Sequence, residues 1–160
     1  MSETRGRITI DRQGDALVLT GAIDETARLG ELLFEPASAS LLVLDLGGIA
    51  FINSLGVRDW IRMQTTAQRA GITIELRRVS EPLVHQLNMI VATRAASRVT
   101  SFYAPYTCDN CGREDSLLID AVAHAAGLAE QTPPVMTCSE CGGTMEFNDF
   151  PERYFSFLSV

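Results

Sequence analysis

The residues whose spacing carries the most chemistry are four cysteines, Cys108, Cys111, Cys138 and Cys141, set as two C-x2-C pairs with 26 residues between them. Gly112 follows the first pair and Gly142-Gly143 the second. Each glycine suits a tight knuckle in which backbone N–H groups point at thiolate sulfur, and four thiolates in a tetrahedron suit zinc. All four cysteines are therefore expected to be zinc ligands. A complete set of four protein ligands leaves no position for water or substrate, so the expected Zn2+ is structural. A thiolate redox sensor is the alternative, because metal-bound sulfur is oxidisable.

Other chemistry is sparse. The chain has no G-x-S-x-G, no P-loop and no glycine-rich dinucleotide fingerprint, so no enzyme is expected. His124 lies between the knuckles, where four cysteines already fill a tetrahedron, and His85 falls on a helical segment without chemical neighbours. Neither is assigned a role.

The elements that must position these groups follow from apolar periodicity. Arg7–Ile10 and Ala16–Thr20 read as a hairpin around Gln13-Gly14-Asp15. Asp24 is expected to cap a helix carrying Leu29, Leu32 and Leu33, with Pro36 ending it. Leu41–Leu46 is a nearly unbroken apolar run, the central strand, after which Gly47-Gly48 is expected to turn the chain. A second helix runs from about Leu55 to Arg69, capped by Ser54 and closed by Gly71. Ile72–Leu76 reads as a strand. Ser80 caps a third helix with Pro82 in its first turn and Leu83, Val84 and Leu87 on its buried face. The order is β-β-α-β-α-β-α. Met89–Arg98 has no clear period, and Val99–Tyr106 reads as one last strand feeding directly into the first knuckle. No linker is visible, so the two modules are expected to pack together.

This order, together with Leu41-Leu-Val-Leu-Asp-Leu-Gly-Gly-Ile-Ala-Phe-Ile-Asn-Ser-Leu-Gly56, resembles the STAS domain of anti-sigma factor antagonists. The resemblance covers roughly residues 5–105. It implies an α/β fold in which a STAS-like mixed β-sheet with helices precedes a small C-terminal zinc ribbon, here 1–106 and 107–160. It also implies a bacterial-type regulatory protein whose turn hydroxyl, here Ser54, is phosphorylated by a partner kinase. The partner class is an anti-sigma factor or serine kinase in a partner-switching circuit. Asn53, Ser54 and Gly56, with Arg58, Asp59 and Arg62 on the following helix, are the expected partner-binding residues. Two positions depart from the family pattern: Asn53 replaces its aspartate, and Leu55 stands where a second hydroxyl is frequent. They favour a second reading, a constitutive STAS-type adaptor subunit without phosphoryl chemistry. The knuckles by themselves resemble those of rubredoxin, where iron replaces zinc, although the connector 112–137 lacks the aromatic residues associated with that family.

Composition bounds the partners. The chain of 160 residues is long enough for one α/β core of about 100 residues plus a smaller module. Residues 1–107 carry eleven acidic groups and eleven arginines, whereas the rest carries nine acids against Arg113 and Arg153. The whole net charge of −7 thus lies on the cysteine module. Nucleic-acid binding draws its affinity from cations on phosphate, so that activity is not expected. No run approaches the roughly 20 apolar residues of a membrane span, and no leader-like apolar segment follows the N-terminus, so a cytoplasmic protein without membrane insertion is expected. Five aromatics crowd the tail: Phe147, Phe150, Tyr154, Phe155 and Phe157. They are expected to dock the ribbon on the sheet, with a partner-binding or homodimer surface as the alternative.

Overall fold

A computed structural model describes residues 2–34, 40–95 and 97–158. Strands β1 (Ser2–Arg5), β2 (Ile8–Gln13), β3 (Ala16–Ile23), β4 (Leu41–Ile52), β5 (Thr73–Arg77) and β6 (Ser97–Val99) form one mixed sheet in that order. β1 to β3 are antiparallel and β3 to β6 parallel. Helices α1 (Ser54–Ala70) and α2 (Glu81–Met89) make the crossovers from β4 to β5 and from β5 towards β6. The crossovers run in one direction across the sheet, so right-handedness puts their elements on one face. Trp60 of α1 is buried there and donates its indole N–H to the Thr93 carbonyl at 2.6 Å, fixing the 3₁₀ turn Val91–Arg94. On the sheet, Leu17, Leu44, Leu76 and Val99 form a row towards the helices, and Asp11, Val18, Asp45 and Arg77 form the adjacent row on the other face. Alternation of this kind is what a sheet covered on one side requires, and it slips where the β3–β4 register shifts, between Val18 and Thr20 and between Gly21 and Ala22.

A second, antiparallel sheet holds β7 (Ser101–Cys108), β8 (Glu114–Asp120), β9 (Met136–Thr137) and β10 (Thr144–Phe147) in the order β8-β7-β10-β9. With the short α3 (Ala125–Ala129) and α4 (Pro151–Tyr154), the described residues form four α-helices. The sheets meet through backbone. Past β5, Val79 N donates to Ser101 O at 3.1 Å and Tyr103 N to Val79 O at 2.9 Å, so the strand pair that closes the first sheet opens the second. The kink between them falls at Thr100 and Arg78, the latter at φ +51°.

Several sequence expectations change here. The segment after Asp24 is a 3₁₀ turn, Leu29–Phe34, not an α-helix. The Asp24 carboxylate accepts from both the Thr26 N–H and hydroxyl, which closes a local turn in place of a cap. Leu29 N–H is instead held by the Asp59 carboxylate of α1 at 2.7 Å. Pro36 lies outside the described residues, as do the side chains of Leu32 and Leu33. Gly47-Gly48 is not a turn: β4 runs through it. A Cβ on Gly47 would stand 2.8 Å from the Arg78 guanidinium and one on Gly48 would stand 3.0 Å from the Thr20 side chain, so these glycines provide clearance on the open face. The last strand divides at Thr100, and β1 had no apolar alternation to announce it.

The aromatic tail does dock, but on α2 and β7 rather than on the first sheet. Tyr154, Phe155 and Phe157 are buried around Phe102, whose ring meets Phe157 edge-on at 5.1 Å between centroids. Asn88 of α2 locks them: its amide donates to the Tyr154 carbonyl, and its oxygen accepts from Phe157 N–H and the Ser156 hydroxyl. Phe150 is left exposed.

Gly56 is the tightest point of the helix layer, since a Cβ there would fall 2.2 Å from the Ile23 carbonyl oxygen and 2.7 Å from its carbon. Backbone cannot give way as a side-chain tip can. Gly56→Ala is therefore expected to lower stability by about 1–3 kcal/mol, seen as a lower urea midpoint at unchanged slope. Gly30→Ala, with open space around its Cβ, is the control expected to leave the midpoint in place.

Candidate functional site

The two C-x2-C segments fold as matching knuckles. Cys108 N donates to Arg113 O at 2.8 Å and Gly112 N to Cys108 O at 3.1 Å; in the second, Cys138 N donates to Gly143 O at 2.8 Å and Gly142 N to Cys138 O at 2.9 Å. Gly112 and Gly142 sit at φ +75° and +74°, the left-handed conformation that a side chain disfavours. This repeated geometry is why glycine follows each second cysteine.

The knuckles face one another across the β7–β10 pair and bring all four Sγ atoms within 4.8 Å of one another. Cys108 Sγ lies 3.5 Å from Cys141 Sγ, and Cys111 Sγ 3.7 Å from Cys138 Sγ. Four sulfurs placed about 2.3 Å from a central ion at tetrahedral angles stand about 3.8 Å apart, so the spacing matches a metal tetrahedron. It does not match a disulfide, whose S–S length is about 2.0 Å. The donor set suits zinc or iron. Cys108 and Cys138 are buried, whereas Cys111 and Cys141 reach the surface.

Charge on sulfur is met by N–H groups. Asn110 N and Cys111 N point at Cys108 Sγ, both at 3.4 Å, and Gly143 N and the Asn110 side-chain amide point at Cys141 Sγ, both at 3.4 Å. The Asn110 amide and Gly143 N–H hold the Cys141 thiol down to about 6. Such donors favour the thiolate form that a metal needs. Gly143 has a further duty, because a Cβ there would stand 2.9 Å from Asn110 Cβ and 3.2 Å from two sulfurs.

The second group of residues singled out in the sequence lies at the start of α1, and the structure sorts it. Asn53, not Ser54, is the cap: its side-chain oxygen accepts from Gly56 N at 2.8 Å. Its amide nitrogen donates to the Glu25 carboxylate at 3.3 Å. An aspartate could not make the second bond and would repel Glu25, so the asparagine fits this neighbour. Ser54, freed of the capping duty, is the exposed first residue of the helix. Gly56 is buried, and Asp59 is engaged with Leu29 N. Arg58 and Arg62 are exposed, one turn apart, and have no ion pair among the described residues. Leu55 and Phe51, 41% and 47% exposed, flank Asn53 and Ser54 in the chain, with the Arg7 guanidinium 5.9 Å over the Phe51 ring. The exposure of Phe51 is not visible in the sequence, where Gly47-Gly48 reads as a turn just before it.

Comparison with known proteins gives no matching family model and no matching curated protein. No helix of the described residues is long and apolar enough to cross a membrane.

Asn110 is not one of the four sulfur donors and lies at the surface, so its replacement isolates the effect of a side-chain N–H donor on the sulfurs. Asn110→Ala is expected to weaken metal binding about tenfold, the lower end for groups that orient ligands. Competition with a calibrated chelator reads the change.

Proposed function

We propose that this chain is a non-enzymatic regulatory or adaptor protein, with a STAS-like first module that binds a protein partner and a cysteine module stapled by structural zinc. The observation that carries the reading is the exposed Ser54 hydroxyl on the first turn of a 17-residue helix, one turn before the exposed Arg58 and beside the exposed Leu55 and Phe51. A phosphate there adds about −1.5 to −2 charges. It would meet the free N–H groups and positive dipole of the helix start, with Arg58 four residues on. The same patch would change from apolar and cationic to anionic, which is a sufficient change of surface to exchange partners. The partner class implied by the STAS resemblance is an anti-sigma factor or serine kinase. Gly56 and Asp59 serve this face from inside, by close packing and by anchoring Leu29.

One observation favours the constitutive adaptor. Asn53 removes the carboxylate that precedes the phosphorylated residue in the family, and its bond to Glu25 gives the replacement a structural reason.

Zinc is favoured for the metal because a closed four-thiolate set leaves no open position for chemistry and the ion's binding energy supports the folding of so small a module. Purified protein is expected to carry one zinc per chain and to be colourless. Elemental analysis decides this, with a red iron chromophore as the contrary result. Removing the ion with a chelator is expected to unfold the knuckles while α1 and the first sheet persist, read by hydrogen exchange.

The switching reading is tested by pull-downs with wild-type, Ser54→Ala and Ser54→Asp baits, with mass spectrometry of Ser54. A kinase-class partner retained by wild type and Ser54→Ala and lost by Ser54→Asp is the expected result. Equal retention on all three baits, with Ser54 unmodified, identifies the constitutive adaptor instead.

A further inference from the structure

The cysteine module leaves part of a sheet edge uncovered. β9 pairs with Thr144 and Met145 only, while β10 continues through Glu146 and Phe147, held on its other side by β7. Upstream of β9 the chain diverges as Pro133-Pro134-Val135, and an open groove of about 350 Å³ lies between that segment and β10. Asp149 and Pro151 complete its border. The divergence is fixed: the buried Tyr106 donates its hydroxyl to the Pro134 carbonyl at 2.6 Å. Neither proline has an N–H with which to extend the β9 ladder. Val135, on the wall, is 76% exposed.

Charge selects what fits. Both cations of 108–160 are already engaged, Arg113 with Asp115 and Glu140, and Arg153 with Asp149. Glu146 at the groove is exposed, and Glu114 lies in the same row of the sheet across Thr107. Neither has an ion pair among the described residues. An apolar groove beside an open strand edge, with the unpaired Glu146 carboxylate on its wall and the acidic row continuing across the sheet to Glu114, has the features of a strand-addition site for a cationic segment.

We infer that this groove binds an extended basic segment of a protein partner, laid beside β10 with an apolar side chain between Val135 and Phe147 and a lysine or arginine against Glu146. The site lies on the opposite sheet from Ser54, and its test does not depend on phosphorylation.

The probe is a random-peptide display library panned against the full-length, metal-loaded chain, followed by a labelled synthetic copy of the enriched sequence. Alternating apolar and Lys/Arg residues are expected in the enriched peptides. Glu146→Arg and Val135→Asp are each expected to weaken binding by about tenfold or more, and Glu130→Arg, the same charge change outside the groove, by less than about twofold. Metal content and thermal midpoint equal to wild type certify each variant, and the two groove variants report independently. An uncharged or acidic consensus, the absence of enrichment, or equal weakening by Glu130→Arg overturns the inference, the last by showing diffuse attraction to the acidic module.

Discussion

The backbone bonds at Val79, to Ser101 and from Tyr103, hold the molecule in one piece. Through them the edge pair of the first sheet becomes the root of the second, and β7 runs from the shared core at Phe102 to the first metal-site cysteine, Cys108. A flexible tether would let the knuckles sample any orientation. A kinked strand pair transmits position at the precision of a hydrogen-bond ladder. The kink itself is held from the side by Arg78, whose guanidinium meets the Tyr103 hydroxyl and the Asp45 carboxylate over the flat space left by Gly47.

The open face of the first sheet, the start of α1 and the groove beside β10 are therefore linked through continuous hydrogen-bonded backbone. That continuity gives a physical sense to joining a mixed α/β sheet and a four-cysteine antiparallel sheet in one chain. If both proposed surfaces bind partners, two recognition surfaces of opposite character, one apolar and cationic, the other apolar and anionic, are held in a fixed relation. Binding at one surface is then oriented for the other without an ordering cost.

Much of this was legible in the residues. The cysteine spacing with its trailing glycines announced the two matching knuckles and the meeting of the four sulfurs, since few other arrangements use that pattern. The apolar rows of β3, β4 and β5 and the faces of α1 and α2 followed from periodicity. What failed did so where a distant neighbour decides. Gly47 reads as a turn until Arg78 is seen above it, thirty-one residues away in sequence. Ser54 and Asn53 are both good caps locally, and Glu25 tips the choice to asparagine. Leu29, Leu32 and Leu33 have helical spacing, yet Leu29 N–H is claimed by Asp59 and the local turn at Thr26 takes up the expected cap. β1 is polar along most of its length and exists because β2 offers it an edge.

Each knuckle buries one sulfur and shows the other to solvent: Cys108 and Cys138 lie within, Cys111 and Cys141 without. The two inner sulfurs are rooted at the ends of strands, whereas the outer two ride on the turns. An ion held by these four sulfurs would therefore be open to a thiol or chelator from one side, the turn sulfurs first. Its exchange would be governed by the outward half of the site, and its support of the fold by the inward half. Metal residence time and fold stability would then be two separately adjustable properties.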